Sequence, residues 1–379
     1  MNKVSILKTE EYNPQLLDEA IEKHFELLEL NSLLRAGMSV TLKPNLLMKR
    51  TPEEATTTHP EVVAAVARAL KRRGVTRLTL ADSPGGPYTA GGLNTIYRAS
   101  GMAEMAQREG IALNTATGYT TVATKTMRVS SLNIINPVLE CDLLINICKL
   151  KTHCMTGLSG AVKNLFGCIP GLQKPEFHYR FKQPEEFCDM LVDICETIKP
   201  AITFVDAVVS MQGDGPSGGT PAQTGLTLCA TNPYDLDVVL CELIHMPHEQ
   251  AQTVKAAYKR GLAARLEDIN LCGDPKLISS VGEFCLPATK SLNFNRYLPK
   301  FMQGVVDKFT ERFVTPRPVI IKNACIGCGK CAESCPAHTI IIADNKAEIN
   351  YDNCIKCYCC HEMCPVKAIK VRRNRILNI

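Results

Sequence analysis

The first 140 residues alternate between short apolar runs and longer segments with helical periodicity. Residues Val4 to Leu7, Met38 to Leu42 and Arg77 to Ala81 are short and apolar, which predicts three strands. Between them, Pro14 to Leu34 carries apolar residues at helical spacing, and Pro60 to Arg73 begins with proline and is followed by glycine. Alternating strands and helices predict a mostly parallel sheet with covering helices, an α/β fold.

The same alternation continues along the next part of the chain. Strands are predicted at Asp142 to Cys148, at Ala201 to Val205 and at Gly225 to Ala230, with helices at Pro184 to Ile198 and from Leu236 to Leu266. A Gly- and Pro-rich loop separates the last two strands. The pattern therefore extends the predicted α/β fold well beyond residue 200.

Three parts of the chain are predicted. Residues 1–295 form an α/β domain that binds a substrate or a partner. Tyr297 to Phe313 is amphipathic and precedes a Thr-Pro-Arg-Pro sequence, so residues 296–318 are predicted as a helix and linker. The remaining residues, 319–379, form a small C-terminal domain whose cysteine spacing carries the clearest chemical signal.

That C-terminal part contains the spacing Cys-x2-Cys-x2-Cys-x3-Cys-Pro twice. Thiolates at this spacing bind iron–sulfur clusters, and the fourth cysteine of each run ligates the other cluster. Zinc sites instead pair two Cys-x2-Cys knuckles. The segment resembles the bacterial two-cluster ferredoxins, which implies a small α+β domain with two 4Fe-4S clusters. The predicted ligands are Cys325, Cys328, Cys331 and Cys364 for one cluster, and Cys354, Cys357, Cys360 and Cys335 for the other.

Charge and composition exclude several function classes. Residues 317–379 hold ten Lys and Arg against five Asp and Glu, which is the whole net charge of +5. Two oxidised clusters with their thiolates carry about −2 each, so this excess mostly offsets the metal sites. No aromatic platform for nucleic acid accompanies the basic residues, and no apolar run approaches a membrane span. Nineteen cysteines without an apolar leader predict a reducing, low-oxygen cytoplasm.

The candidate chemistry of the large domain lies where predicted strands end. Ligands of parallel α/β sheets bind beyond the carboxyl ends of the strands. One strand ends in lysines and a histidine, and a Gly-rich turn opening a helix follows, which predicts an anion site. His153 is the predicted proton donor because histidine titrates near neutral pH, with Lys151 and Lys163 as further catalytic residues. The predicted binding residues are Lys43, Asn45, Asp82, Gly157, Ser159, Gly160, Asn164, Asp214 and Gly215.

Simpler interpretations of these residues stay open. The lysines could be solvated, His153 could cap a helix, and the loop from Met211 to Pro221 could be an ordinary flexible connector. Four other cysteines are close in sequence and raise the alternative of a third metal site, but their spacing fits no metal motif, and Cys148 is predicted to be a small buried apolar side chain within a strand. These four are Cys141, Cys148, Cys154 and Cys168.

Several motifs support two family resemblances. Residues 40–245 resemble a widespread, poorly characterised domain family that is often fused to a two-cluster ferredoxin and that implies no agreed reaction. The motifs are Lys43-Pro44-Asn45, Thr58-His59-Pro60, Asp82-Ser83-Pro84, Lys149 to His153 with Lys163-Asn164, and Gly213 to Pro216.

The same region is distantly similar to the N-terminal domain of nickel-pincer lactate racemases. In those enzymes a histidine, a Gly-rich turn with a cofactor-bearing lysine, Pro-Gly and a second histidine follow one another. Here His153, Lys163 and His178 stand in that order. Asp82 to Gly85 replaces a Gly-Thr-His-Arg segment, so a proton-transfer histidine of those enzymes is absent.

The leading functional hypothesis is a reductase. A low-potential donor protein reduces the two clusters, and an anionic or carbonyl-bearing small molecule in the α/β domain accepts the electrons from them. One alternative is an electron carrier whose large domain docks to a partner oxidoreductase, and another is a protein for cofactor or cluster assembly. No sequence motif announces an additional organic cofactor or metal in the large domain, and the donor and substrate stay unidentified.

Overall fold

The computed structural model describes residues 2–287 and 316–372. The large domain is built on one mixed sheet of nine strands. Its strands are β1 (Lys3–Lys8), β2 (Ser39–Pro44), β3 (Arg77–Leu80), β4 (Ala112–Leu113), β7 (Leu143–His153), β8 (Gly157–Ser159), β9 (Ile202–Gln212), β10 (Thr220–Ala230) and β11 (Asn270–Gly273). A separate hairpin comprises β5 (Tyr119–Ala123) and β6 (Ser131–Ile135).

Helices cover both faces of this sheet. They are α1 (Pro14–Leu27), α2 (Pro60–Arg72), α3 (Ala90–Ala99), α4 (Met102–Glu109), α5 (Asn136–Leu139), α6 (Ala161–Asn164), α7 (Gln173–Arg180), α8 (Pro184–Ile198), α9 (Pro233–Leu243) and α10 (Gln252–Lys259). Short 3-10 turns occur at Leu30–Leu33, Pro52–Glu54, Leu165–Cys168, Leu266–Asp268 and Pro275–Ser279. Because the central strands are apolar on both faces, separate apolar clusters form above and below the sheet.

The strand order confirms the predicted fold class and fixes where a ligand would bind. The order is β11-β1-β10-β9-β7-β2-β3-β4, and β8 pairs with β7. Neighbouring strands from β9 to β4 are parallel, whereas β10 is antiparallel to β9 and to β1. From β2 the chain proceeds outward through β3 and β4, and later returns to add β7 and β9 on the other side. The carboxyl ends of β2 and β7 therefore flank the topological switch point, where doubly wound sheets bind ligands.

Most predicted elements are present, with two instructive differences. The predicted helix from Pro14 ends at Leu27, because Glu29 has a left-handed backbone with φ 55° and a 3-10 turn follows. The predicted loop from Met211 to Pro221 is shorter, since β9 and β10 extend into it and form an antiparallel hairpin. The predicted amphipathic helix from Tyr297 to Phe313 lies outside the described residues.

The C-terminal domain has the small strands and helices of a ferredoxin. Strands β12 (Arg317–Ile320) and β15 (Ile369–Arg372) pair antiparallel, as do β13 (Ile340–Ala343) and β14 (Lys346–Ile349). Helices α11 (Lys330–Glu333) and α12 (Cys359–Glu362) each contain a predicted cluster ligand. Among the described helices of both domains, none combines the length and apolar character needed to cross a bilayer.

Specific contacts join this domain to the sheet. The Arg50 guanidinium donates hydrogen bonds to the carbonyl oxygens of Cys364 at 2.9 Å and Pro365 at 3.0 Å. On the β9–β10 hairpin loop, the Ser217 hydroxyl donates to the Glu362 carbonyl oxygen at 2.7 Å. These contacts come from loops at the carboxyl edge of the sheet, so the C-terminal domain lies against the edge where a ligand would bind.

Candidate functional site

A cavity opens between the carboxyl edge of the sheet and the C-terminal domain. It encloses about 790 Å³ of space not filled by protein atoms, its open mouth included. Four lysines line it: Lys43, Lys151, Lys163 and Lys174.

Lys43 forms a buried ion pair that holds two strand ends together. Its ammonium lies 2.7 Å from Oδ1 of Asp82, and both side chains are buried. The other carboxylate oxygen of Asp82 accepts a hydrogen bond from the Leu46 backbone at 3.0 Å. A Cβ on Gly167 would lie 2.1 Å from Oδ1 of Asp82, so only glycine fits against the pair. Lys43 and Asp82, two of the predicted binding residues, line the cavity, but they neutralise each other.

Lys151 lines the cavity, and a chain of hydrogen-bonded side-chain amides holds it in place. Its ammonium donates to Oδ1 of Asn45 at 2.6 Å and to the Thr56 carbonyl at 2.8 Å. Nδ2 of Asn45 in turn donates to Oδ1 of Asn164 at 2.8 Å. Burial, and next the charge of Lys163, lowers the pKa of Lys151 to about 7. The predicted residues Lys151, Asn45 and Asn164 are thus brought together in one preorganised network.

Lys174 and Ser83 form a second polar group, which the sequence pattern did not predict. The Lys174 ammonium donates to Oγ of Ser83 and to the Pro84 carbonyl, each at 3.2 Å. Oγ of Ser83 also accepts the Gly171 backbone N–H at 2.9 Å. With two donors already on this oxygen, its own proton is available to a ligand. Desolvation lowers the pKa of Lys174 to about 7. The only signal for Lys174 was its place three residues after Pro170-Gly171.

Lys163 stands beside an apolar wall. Its ammonium lies 5.7 Å from the centroid of the Phe166 ring. Within residues 2–287 and 316–372, no acceptor forms a hydrogen bond with this ammonium, so its charge is available to a bound anion. Beyond Phe166, the wall continues through Leu172 and Pro175.

The C-terminal domain supplies the opposite wall. Ser334, Cys359, Glu362 and Met363 line the cavity, and each lies within two residues of a predicted cluster ligand in sequence. Oε1 of Glu362 lies 3.1 Å from Nε2 of His153. Burial alone would raise the pKa of Glu362, but His153 and Lys163 together lower it below its usual range. The cavity is therefore a joint feature of both domains.

The geometry of His153 argues against the predicted role of proton donor. The side chain is fully buried, and Nδ1 accepts backbone N–H groups of Met155 at 3.1 Å and Thr156 at 3.4 Å. The remaining proton is then on Nε2, facing Glu362. Burial, and next the charge of Lys163, lowers the pKa of His153 to about 4, so the ring is neutral at pH 7. His153 does not itself line the cavity; it positions Glu362.

The Gly-rich turn is not open to an external anion. The Ala161 and Val162 backbone N–H groups donate to the Asp237 carboxylate, at 2.6 Å and 3.1 Å. A Cβ on Gly160 would lie 2.1 Å from Oδ1 of Asp237. A carboxylate from α9 thus fills the position predicted for a ligand. Ser159, next to the turn, does line the cavity.

Three further predicted binding residues lie outside the cavity wall. A Cβ on Gly157 would lie 2.1 Å from the Gln250 carbonyl oxygen, and one on Gly215 would lie 2.1 Å from the Thr152 carbonyl oxygen. Both glycines therefore permit close backbone packing. The Asp214 carbonyl oxygen contacts Nε2 of His361 at 3.0 Å, which is an interdomain contact.

Lys149, at the end of the same strand, belongs to a buried structural network. Its ammonium contacts Asp206 at 2.8 Å and the Tyr12 hydroxyl at 2.7 Å. The Tyr12 ring stacks on His59 with centroids 3.6 Å apart. This group lies outside the cavity lining and fastens α1 and α2 to the sheet.

The thiols of the C-terminal domain fit iron–sulfur clusters. Cys325, Cys328, Cys331 and Cys364 surround a second cavity of about 320 Å³, opening included, whose other lining residues are apolar apart from glycine. These four are the predicted ligands of one cluster. The second predicted set is also grouped. Burial raises the pKa of the Cys360 thiol, and the neighbouring thiols of Cys357, Cys354 and Cys335 raise it further. Such thiol-lined, water-poor cavities suit cubane clusters.

Backbone amides support these sulfur atoms. The Ala347 N–H donates to Sγ of Cys325 at 3.4 Å, and the Ala368 N–H donates to Sγ of Cys364 at 3.2 Å. Hydrogen bonds to ligand sulfur tune the potential of a bound cluster. Within the described ranges, no three His, Cys, Asp or Glu side chains lie close enough together to bind a single metal ion. Cubane ligands stand further apart, because each binds a different iron.

The remaining clustered cysteines of the large domain are separated from one another. Cys148 belongs to the apolar cluster around β1 and α9, whereas Cys154 and Cys168 belong to the cluster around α8. Cys141 is partly buried and packs against the latter cluster. The structure therefore places these four thiols in apolar packing, and Cys148 is buried within a strand as predicted.

Comparisons with known proteins agree with the division into two domains. Residues 40–242 match the family described as a domain of unknown function, DUF362, and residues 317–365 match a 4Fe-4S dicluster domain. A protein named thylakoid-associated protein, from Synechocystis sp., is 29% identical over 314 residues, which cover 82% of this chain and 95% of that protein.

Among solved structures, the chain also shows a limited match to an enzyme. It is the lactate racemase apoprotein from Thermoanaerobacterium thermosaccharolyticum, with a TM-score of 0.39 and 14% sequence identity. The similarity covers 64% of this chain and 57% of the racemase chain, so the chain spans less than two thirds of that enzyme.

Proposed function

The chain belongs to the DUF362 family and carries a 4Fe-4S dicluster domain, and from this premise we propose that it is an iron–sulfur reductase. The proposed electron acceptor is an anionic or carbonyl-bearing organic molecule bound in the cavity between the domains. One observation carries the proposal: the same cavity is lined by the cationic edge of the sheet and by residues adjoining the cluster ligands.

The proposed cofactors are two 4Fe-4S clusters with crossed ligands. Cys325, Cys328, Cys331 and Cys364 would hold one, and Cys354, Cys357, Cys360 and Cys335 would hold the other. When bound, such clusters supply single electrons at low potential. The shared wall brings a ligand in the cavity next to helix α12, which carries Cys360.

The residues of the large domain would bind and orient the acceptor. Lys163 and Lys174 attract a negative group, and the Ser83 hydroxyl donates a hydrogen bond to it. Lys151 lines the cavity and is fixed by Asn45, so its charge would stabilise an oxyanion that develops beside it during reduction. Because its pKa is about 7, Lys151 can also deliver the proton that accompanies reduction.

An electron donor protein would dock on the outer face of the C-terminal domain. Cys328 is exposed there, and Ile326, Ile342 and Val366 line the same thiol cavity with 60%, 39% and 41% of their surfaces accessible. Exposed apolar groups around a redox centre suit transient docking of another protein. A cytoplasmic location for both proteins stays a prediction.

The test uses anaerobically purified protein reduced with titanium(III) citrate. Visible absorbance reports reoxidation as 2-oxo acids and enoates are added one at a time. We expect at least one compound to accelerate reoxidation about tenfold or more, and Lys163→Gln to remove the acceleration with full iron content. Lys23→Gln, an exposed lysine on α1, is the matched control. Equal rates in wild-type and Lys163→Gln proteins would refute the proposed site.

A second candidate function is an electron carrier that docks to a partner oxidoreductase. The apolar residues around Cys328 favour it, because a carrier needs such a face. The two candidates differ in what a cavity variant does. A carrier with Lys163→Gln would still exchange electrons with partner proteins at the wild-type rate and would never reduce a small molecule.

A further inference from the structure

We propose that the cavity selects ligands with two negatively charged groups, one at each end of an apolar segment. The inference deepens the proposed function, since it takes the cavity as the substrate site. It concerns which molecules bind, and binding can be measured without any reduction.

Two separate cationic groups face the cavity. The first contains Lys151, held by Asn45 at the end of β7, and Lys163 on α6. The second contains Lys174, held by Ser83 beyond the end of β3. Strand β2 lies between β7 and β3, so the two strand ends are about 10 Å apart at ~4.8 Å per strand.

The charge balance of the cavity favours two negative groups. Lys43 is cancelled by Asp82 in a buried pair at 2.7 Å. Lys151, Lys163 and Lys174 in their ammonium forms face one carboxylate, Glu362, so two positive charges have no counterpart among the described lining residues. A ligand with two negative groups neutralises both, whereas a monoanion leaves one in a partly desolvated site.

The apolar part of the lining determines what joins the negative ends. Phe166, Leu172 and Pro175 line the cavity without offering a side-chain hydrogen-bond partner. A polar linker would lose its water there without compensation, whereas an aliphatic or aromatic linker gains from burial. The ligand class is therefore a dicarboxylate or a similar dianion with an apolar spacer.

Calorimetry on the oxidised, cluster-loaded full chain tests this selectivity. The probes are α,ω-dicarboxylates of four to nine carbons, each compared with the monocarboxylate of equal length. We expect one dicarboxylate to bind at least about tenfold tighter than its monocarboxylate, and Lys163→Gln and Lys174→Gln each to remove that advantage. Lys23→Gln keeps it, and visible absorbance confirms unchanged clusters in every variant.

Three outcomes would overturn the inference: equal affinities for the two series, a dicarboxylate preference that survives in both variants, or no binding by any probe. The proposed reductase fails separately. Dicarboxylate binding without any cluster reoxidation would leave the charge selectivity in place and remove the reductase. Reduction of a monoanion without a dicarboxylate preference would support the reductase and remove the charge selectivity.

Discussion

Oε1 of Glu362 lies 3.1 Å from Nε2 of His153, which joins a helix of the ferredoxin domain to the end of a central strand of the α/β domain. His153 is neutral and fully buried, so this contact is a close polar approach of an imidazole to a carboxylate, without the alignment of a hydrogen bond. Glu362 places one negative charge in a cavity whose other described lining carboxylate, Asp82, is paired with Lys43. The contact therefore joins the domains and also sets the charge of the site.

Replacing Glu362 should separate these two effects. Glu362→Gln keeps an acceptor for His153 but removes the negative charge, so anion binding in the cavity should tighten at least about fivefold by calorimetry. Glu362→Ala removes the carboxylate beside the buried Nε2 of His153 and its contacts between the domains, and should cost about 1–3 kcal/mol of unfolding free energy. Glu348→Gln changes an exposed ion pair on the same domain and is the control. Weaker anion binding in Glu362→Gln would contradict the assigned charge balance.

Anion binding should depend on pH because of two lysines. The pKa values of Lys151 and Lys174 are both lowered to about 7, so above pH 7 the free protein loses these charges. An anion binds the ammonium forms, and affinity should fall by up to about tenfold per pH unit for each lysine that must be reprotonated. Calorimetry at pH 8 in buffers of different ionisation enthalpy should show proton uptake. An affinity that stays constant from pH 6 to 9 would exclude both lysines.

Arg50 should control how firmly the ferredoxin domain is attached. Its guanidinium donates to two backbone carbonyls of that domain and pairs with Glu54 at 3.0 Å. Arg50→Ala should cost about 2 kcal/mol at this interface. Hydrogen exchange should then speed up in α12, with little change in α8. Arg108→Ala, whose arginine is half-exposed on α4, should leave exchange in α12 unchanged, and equal effects of the two variants would argue against the assigned contact.

Gly160 should tolerate no side chain. A Cβ there would overlap the Asp237 carboxylate and displace it from two backbone N–H groups. Gly160→Ala should therefore destabilise the protein by roughly 3 kcal/mol or more, measured by denaturant unfolding of the large-domain signal. Gly91→Ala has open space around its Cβ and lies in α3, so its stability should be unchanged or up to about 1 kcal/mol higher.

Substitutions of the adjacent residues Cys359 and Cys360 should have different effects on the iron content of the protein. Cys360 is a predicted ligand, whereas Cys359 is a cavity-lining thiol next to it. Cys360→Ala should lose up to half of the bound iron, and Cys359→Ala should keep all of it. Iron analysis of anaerobic protein distinguishes the two. Loss of iron from Cys359→Ala alone would mean that the ligand assignment is shifted by one residue.

The sequence predicted features that depend on local pattern. Strand ends at Lys43 and His153, the helix at Pro184–Ile198 and the parallel sheet follow from periodicity and from the turn residues that interrupt it. The cysteine spacing indicated the ferredoxin fold because the ligands of a cluster must stand at set distances along the chain.

Long-range placement was not predictable from those patterns. The Gly-rich turn looked like an anion site, but the anion is Asp237, some 75 residues away along the chain. Glu362 sits between two cluster ligands, and nothing local shows that its side chain faces His153. Likewise, Lys174 joins Ser83 only because α7 packs across the end of β3. Each of these depends on which elements pack together, which spacing along the chain does not determine.

The central claim is that the cavity holds its ligand beside the iron–sulfur clusters, and electron–nuclear double resonance tests it most directly. The reduced, cluster-loaded protein would be saturated with the tightest-binding dicarboxylate, labelled with carbon-13 at both carboxyl groups. The account predicts a dipolar coupling between the cluster spin and at least one labelled carbon, which Lys163→Gln removes. Tight binding by calorimetry without any such coupling would contradict it.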